Sequence, residues 1–291
     1  MREPAPVGAP AARRPRDPAE LYLDLLKKVL TRTAAPERYR PFTPEPGRAG
    51  RLGAVVWEAA RRLLSRRGLE VVSSRPVDLA VRSVGRDWPP EAETMIGLER
   101  LDNLHRCVRA VLDDGVEGDL METGVWRGGA CIFMRAALEA YGDTDRLVWA
   151  ADSFAGLPRP DAARYPLDEG VVLWARAELA VTLHEVESNF ERYGLLDERV
   201  RFVVGLFRDT LPAAPVEKLA VLRLDGDMYE STMDALANLY DKLSPGGFLI
   251  VDDYGVAPMC RAAVCDFRAE RGISDAIVET DWTEVWWRKS G

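Results

Sequence analysis

Four aspartates give this sequence its chemistry. Asp225 and Asp227 stand in Arg223-Leu224-Asp225-Gly226-Asp227, and Asp252 and Asp253 follow Val251. Each pair ends a short apolar run, Leu219–Leu224 and Phe248–Val251, that reads as a strand. If those strands are neighbours in a parallel sheet, the carboxylates crowd one edge. Their mutual repulsion raises their pKa values unless a cation intervenes. Hard oxygen donors with no His or Cys nearby point to Mg²⁺, with water and substrate completing an octahedron. Asp225, Asp252 and Asp253 are the candidate ligands, and Asp227 is the candidate base. Which carboxylates bind and which one deprotonates stays open. A metal beside a base suits a weakly acidic hydroxyl. The ion stabilises a developing alkoxide, and the carboxylate takes the proton. A lone Asp at such a place is better read as a helix cap, and Asp227 does lie shortly before a predicted helix. Acids clustered at two strand ends favour the metal.

The second chemical feature is Glu122-Thr123-Gly124-Val125-Trp126-Arg127-Gly128-Gly129-Ala130. It follows a short strand and opens an Ala-rich helix. Glycines there let the backbone turn sharply and approach a ligand closely. A dinucleotide site prefers Gly-x-Gly-x-x-Gly to seat a pyrophosphate on the helix N-terminus. Here three residues separate the first two glycines, and an acid precedes them. A carboxylate at Glu122 suits the cationic ammonium of a methionine moiety better than a pyrophosphate. The next strand ends in Asp152-Ser153-Phe154. An acid there accepts ribose hydroxyls, a property shared with nicotinamide sites. The reading is therefore S-adenosyl-L-methionine, whose sulfonium methyl is already electrophilic. The bland alternative is a tight strand–helix turn.

These features need elements to hold them. The chain has 291 residues, enough for one large α/β domain with an N-terminal extension. Residues 1–18 are expected to be a disordered tail, since Met1 to Pro18 lacks the apolar stretch of a signal peptide. Residues 19–115 form a helical and lid region, and 116–291 the cofactor-binding core. The predicted helices upstream are Ala19–Thr31, Leu52–Arg67 and a helical region from Pro90 to Asp113. The Pro-rich stretch Thr33–Gly50 is a predicted loop and lid, and Leu69–Val72 a short strand. From Asp119 strands and helices alternate. Strands are predicted at Leu120–Met121, Leu147–Ala151, Val200–Val204, Leu219–Leu224 and Phe248–Val251. Helices lie at Ala130–Tyr141, Arg176–Tyr193, Ser231–Leu243 and Met259–Arg271. Ala276–Glu279 and Glu284–Arg288 must pair antiparallel, given the short link between them. The prediction is a mostly parallel sheet with helices on both faces and a terminal hairpin.

The remaining composition narrows the function. A formal net charge of −8 argues against a nucleic-acid-binding face. No apolar run is long enough for a bilayer span. Cys107, Cys131, Cys260 and Cys265 contain no Cys-x-x-Cys pair, and the chain has 2 histidines, so zinc is disfavoured. Reduced thiols in a cytoplasm fit better than disulfides. His105 invites a role as base, although a packed or solvated helix histidine is the commoner case. His184 reads as surface.

Together the motifs closely resemble the macrocin O-methyltransferase family (TylF/MycF-like). The strings are Leu21-Tyr22-Leu23-Asp24-Leu25-Leu26-Lys27-Lys28, Thr94-Met95-Ile96-Gly97-Leu98, Arg100-Leu101-Asp102-Asn103-Leu104, the loop Glu122 to Ala130, Asp152-Ser153-Phe154-Ala155-Gly156-Leu157-Pro158, Asp209-Thr210-Leu211-Pro212, Asp225-Gly226-Asp227-Met228-Tyr229-Glu230-Ser231-Thr232 and Asp252-Asp253-Tyr254. The resemblance implies a class I methyltransferase, Rossmann-like α/β fold with a seven-stranded sheet. It implies an Mg²⁺-dependent, S-adenosylmethionine-dependent transfer to a hydroxyl of a (deoxy)sugar on a glycosylated natural product. It implies that Asp225, Asp252 and Asp253 hold the metal and that Asp227 is the base. It also places Met95 and Ile96 beside the cofactor. Relatives form homo-oligomers, so a dimer or tetramer is expected. The stretch from about Arg32 to Arg86 is longer here than in shorter members, which bears on the acceptor pocket. Rival readings are a catechol or phenol methyltransferase, a nicotinamide-dependent dehydrogenase, and a catalytically silent scaffold subunit.

Overall fold

The computed structural model describes residues 17–42, 50–74 and 76–291. The tail expected at 1–18 and the middle of the 33–50 loop fall largely outside these. In chain order the elements are α1 Pro18–Leu30, β1 Arg40–Pro41, α2 Gly50–Ser65, β2 Val72–Ser73, α3 Leu79–Ser83, α4 Gly97–Asp113, β3 Asp119–Thr123, α5 Gly129–Ala140, β4 Val148–Asp152, α6 Leu183–Arg192, β5 Val200–Val204, α7 Phe207–Thr210, β6 Leu219–Leu224, α8 Tyr229–Leu239, β7 Leu243–Val251, α9 Pro258–Arg271, β8 Val278–Glu279 and β9 Val285–Arg288.

The main sheet has 7 strands in the order β5-β4-β3-β6-β7-β9-β8. The strands from β5 to β7 pair in parallel, and β9 pairs antiparallel with both β7 and β8. This is the expected parallel sheet with a terminal hairpin. Strands depart in opposite directions from β3 and β6, so the cleft beyond their carboxyl ends is the switch point where ligands bind in such sheets. Register sets Glu122 beside Arg223 and Arg223 beside Ile250.

Alternation along each strand feeds two cores. Leu120 and Ala150 pack on one face with Leu23, Leu26 and Leu30 of α1, Leu104 and Val108 of α4, and Phe133 of α5. Met121 and Leu222 pack on the other with Leu236 of α8 and Val264 and Phe267 of α9. Helix α1 thus belongs to the same core as the sheet. Asp17 caps it by accepting the Ala19 N–H at 3.0 Å, and Pro18 opens it one residue before the predicted start.

Five element boundaries differ from expectation. The helix predicted over Arg176–Tyr193 begins only at Leu183, because Thr182 caps it by accepting the Glu185 N–H at 3.2 Å. Residues Leu173–Ala175 and Ala177–Leu179 are 3₁₀ turns. The helical region predicted from Pro90 starts at Gly97. The helix predicted to reach Leu243 ends at Leu239, and Ser244-Pro245-Gly246-Gly247 lies inside β7 rather than stopping a helix. The hairpin's first strand is only Val278–Glu279, and the predicted Leu69–Val72 strand shifts to Val72–Ser73. The five-residue helix α3, capped by Asp78, was not expected.

Candidate active site

The glycine loop leaves the end of β3 and folds over the switch point. Gly124 has φ +84°, and a Cβ on it would sit 1.7 Å from the Asp225 carbonyl oxygen. Only glycine lets the ends of β3 and β6 close on each other there. Asp152, at the end of β4, accepts the N–H of Val125 at 2.8 Å and of Phe154 at 2.9 Å. Its carboxylate therefore fastens the glycine loop to the neighbouring strand end. Three non-glycine residues beside the cleft carry positive φ: Trp126 at 46°, Phe154 at 52° and Asp227 at 60°. Each such backbone costs about 1 kcal/mol or more and persists only where surroundings over-determine it.

Beneath the loop lies a buried ionic cluster. Arg223 is 0% exposed in the middle of an apolar strand. Its guanidinium donates to Glu122 and Asp252 and, at 2.8 Å, to Asp225 Oδ2. Arg100 of α4 donates to the other oxygen of Asp252 at 2.6 Å and pairs with Asp281 at 3.1 Å. Asn103, one turn on, donates to Glu284 Oε1 at 2.8 Å. The Cys131 thiol lies 3.1 Å from Glu122 Oε2. Asp253 accepts the backbone N–H of Asp227 at 2.9 Å, which ties β7 to the turn after β6.

Burial dominates the titration of this cluster. It pushes the carboxyls of Asp225 and Asp253 well above their usual range, and neighbouring carboxylates push further. Burial and Asp252 raise Asp227 to about 6. Burial and Asp252 raise Glu284 to about 8. One oxygen from each of Asp225, Asp252 and Asp253 lies within 4.8 Å of the others. Each carboxylate oxygen has two lone pairs, so a guanidinium on one still leaves a place for a cation. The donor set fits a small hard divalent ion, and such an ion would offset the repulsion that adds to burial at Asp225 and Asp253.

Above the cluster is a cavity of about 320 Å³. It gathers Met95, Ile96, Glu122, Gly124, Trp126, Ala130, Asp152, Ser153, Asp225, Asp227, Asp252 and Asp253, twelve of the residues singled out from sequence. Thr123, Gly128 and Gly129 do not line it. Thr123 is buried, and a Cβ at Gly128 or Gly129 would strike Val186 or the Glu93 carbonyl, so those glycines serve packing. His105 lies elsewhere, between Lys27 Nζ at 3.3 Å and Tyr141 Oη at 2.5 Å, in the contact of α1 with α4 and α5. His184 is exposed.

The roof also differs from the sequence reading. Among the described residues, none of the 33–50 loop lines the cavity. The roof is the long connection from Ser153 to Thr182, which contributes Gly156, Leu157, Pro158, Leu173 and Leu179. Asp168 pins it: this fully buried carboxylate accepts the N–H groups of Tyr229 at 2.7 Å and Glu230 at 3.0 Å at the start of α8. The Trp126 indole N–H donates to the Glu178 carbonyl at 2.9 Å. Arg223, Arg100 and Asp168 were not foreseen as site residues. The one available signal was a charge inside the apolar run Leu219–Leu224, where an unpaired Arg is never left buried.

Comparison with known proteins shows the family. A family model described as Macrocin-O-methyltransferase (TylF) matches residues 19–289. The 8-demethyl-8-(2,3-dimethoxy-alpha-L-rhamnosyl)-tetracenomycin-C 4'-O-methyltransferase of Streptomyces olivaceus is 51% identical over 276 residues, 94% of each chain. The mycinamicin III 3''-O-methyltransferase of Micromonospora griseorubida is 48% identical over 279 residues, covering 95% of this chain and 99% of that one. The solved structure of the O-methyltransferase NovP superposes with a TM-score of 0.79 at 45% identity, covering 94% of this chain and 100% of that one.

Proposed function

The chain belongs to the macrocin O-methyltransferase family, and on that premise we propose that it methylates a hydroxyl of a (deoxy)sugar on a glycosylated secondary metabolite such as an antibiotic. The donor is S-adenosyl-L-methionine, and the reaction uses Mg²⁺. One observation carries the reading: the glycine loop and the acids of β6 and β7 meet in a single cavity. The two relatives described above act, by their names, on a rhamnosylated tetracenomycin and on mycinamicin III.

S-adenosylmethionine supplies an electrophilic methyl group. Mg²⁺, held by Asp225, Asp252 and Asp253, would supply positive charge beside the acceptor oxygen. The protein's own residues do the rest. Glu122, fixed by Arg223 and Cys131, sets negative charge under the loop where a methionine ammonium belongs. Asp152, Ser153, Met95 and Ile96 line the same cavity and would hold the ribose and adenosine of the donor. Arg100 and Arg223 grip Asp252 from two sides and keep its orientation fixed. Asp227, on a strained turn and anchored through its own N–H, takes the hydroxyl proton on its carboxylate.

We place the enzyme in the cytoplasm as a homo-oligomer, a dimer or tetramer. Leu21, Tyr22 and Leu25 of α1 are 46%, 42% and 58% exposed and give that helix an outer apolar face for a second copy. No helix among the described residues is long and apolar enough to cross a membrane.

The test is methyl transfer to a deoxysugar glycoside with and without chelator. EDTA should abolish turnover and Mg²⁺ restore it. Asp227→Asn should lower kcat by roughly 10²–10⁴-fold while S-adenosylhomocysteine still binds by calorimetry. Full activity in chelator would defeat the metal, and turnover on free catechols but on no glycoside would defeat the sugar.

A further inference from the structure

The cavity changes character from floor to rim. Its floor is acidic and buried, with Glu122 at 2% and Asp252 at 5% exposure. Its rim carries two indoles, Trp88 and Trp282, which line the cavity yet remain 46% and 37% exposed. They come from distant parts of the chain. Trp88 precedes Pro89-Pro90, which stiffen its backbone. Trp282 sits in the turn between β8 and β9 and donates its indole N–H to the Val84 carbonyl at 2.8 Å. With that polar atom committed, Trp282 offers the cavity only its ring.

Each indole is braced by a cation. The Arg86 guanidinium lies 4.8 Å from the Trp282 ring centre, and Arg176 lies 5.5 Å from that of Trp88. Leu173 and Val256 complete the apolar lining between floor and solvent. A sugar hydroxyl that gives its proton to Asp227 must reach the floor. Whatever the sugar is attached to then meets the rim. Flat, braced rings match a flat partner, since offset stacking needs two planar faces. A puckered aliphatic ring would be served as well by Leu or Ile.

We propose that Trp88 and Trp282 form an aglycone site selective for a planar aromatic ring system attached to the methylated sugar. This inference rests on the sugar-methylation reading and deepens it. The test is calorimetric titration, in saturating S-adenosylhomocysteine and MgCl₂, with umbelliferyl α-L-rhamnoside and with cyclohexyl α-L-rhamnoside. The wild type should bind the aryl glycoside at least tenfold more tightly. Trp88→Leu and Trp282→Leu should each reduce that preference to threefold or less, with S-adenosylhomocysteine affinity within twofold of wild type. Trp88→Phe and Trp282→Phe keep a flat ring and should retain most of the preference, which covers the case of a leucine variant that does not fold.

Equal affinity for the two glycosides in the wild type overturns the proposal. So does a preference that survives both leucine substitutions, or binding of neither glycoside. An equal loss for both glycosides in the variants also overturns it, because the indoles would then hold the sugar. Failure of the underlying reading looks different: no glycoside of any kind would be methylated, whereas a free catechol would.

Discussion

The floor and the roof of the cavity are built on opposite plans. The floor stands on three adjacent strands, β3, β6 and β7, and its acids are clamped by two buried guanidiniums. Glu122 is held by Arg223 and Cys131, and Asp252 by Arg223 and Arg100. The roof, residues 153–182, has no α-helix or strand and consists of 3₁₀ turns and irregular chain. It is held at a few points: Asp168 on α8, Glu178 on Trp126 and Arg176 on Trp88. The difference teaches a division of labour. On the proposed reading, the groups that meet the reacting atoms stand on rigid elements, and those that meet the acceptor stand on an irregular connection.

The comparison can be broken most forcibly at Arg223. Arg223→Met leaves Glu122, Asp225 and Asp252 without their shared partner, and loss of one side of a buried ion cluster costs about 3–5 kcal/mol. The urea midpoint should fall accordingly; a shift under about 1 kcal/mol would mean the floor is not clamped as described.

The roof should break more gently. Asp168→Ala removes the acceptor of two helix-start N–H groups, a loss of about 1–2 kcal/mol. Proteolytic nicking within 153–182 should accelerate in this variant and not in Arg223→Met under native conditions. Cleavage at equal rates would erase the distinction between the two regions.

Asp234 of α8 lines the cavity between floor and roof. Burial first, and the Glu230 charge second, raise its carboxyl from 3.8 to about 6. The folded protein therefore holds this proton more tightly than the unfolded chain. The favourable contribution is full below pH 3.8 and is lost as pH rises through about 6. Asp234→Asn should raise stability at pH 7 by about 1 kcal/mol after allowance for solvent screening, with no gain near pH 3.5. A gain independent of pH would point to packing instead.

The smallest effect is expected at Trp126→Phe, which removes the bond to Glu178 and keeps an aromatic ring beside Arg127. Stability should fall by about 0.5 kcal/mol, and the loss should appear as faster hydrogen exchange in the roof with the strands unchanged.

The floor was legible in sequence because its strands are short, apolar and end in acids, and because parallel neighbours bring those ends together. The roof was not. One of its anchors is Asp168, whose partners lie 61 and 62 residues away, so no local pattern announces it. The spacing predicts a helix over Arg176–Tyr193, but the capping pair Thr182 and Glu185 marks its start at Leu183. The apolar residues of 173–181 serve different ends: Leu173 and Leu179 line the cavity, whereas Val181 packs in the core. The run Leu219–Leu224 was read as a strand, correctly, but Arg223 within it was not read as a partner. Asp225 is its near neighbour in sequence, but Glu122 and Asp252 come from the two flanking strands, and only the sheet order brings them within reach.

That wiring also bears on how the chain assembles. Arg223 meets Glu122 from 101 residues away and Asp252 from 29, while Arg100 meets Asp252 across 152. No fragment ending before β7 contains the whole cluster. Contacts so far apart in sequence form late, after the costly closure of long loops. A ligand that grips the floor therefore rewards only the finished sheet, and its binding free energy adds to the stability of that one state. The candidate site thus doubles as a completion check on folding.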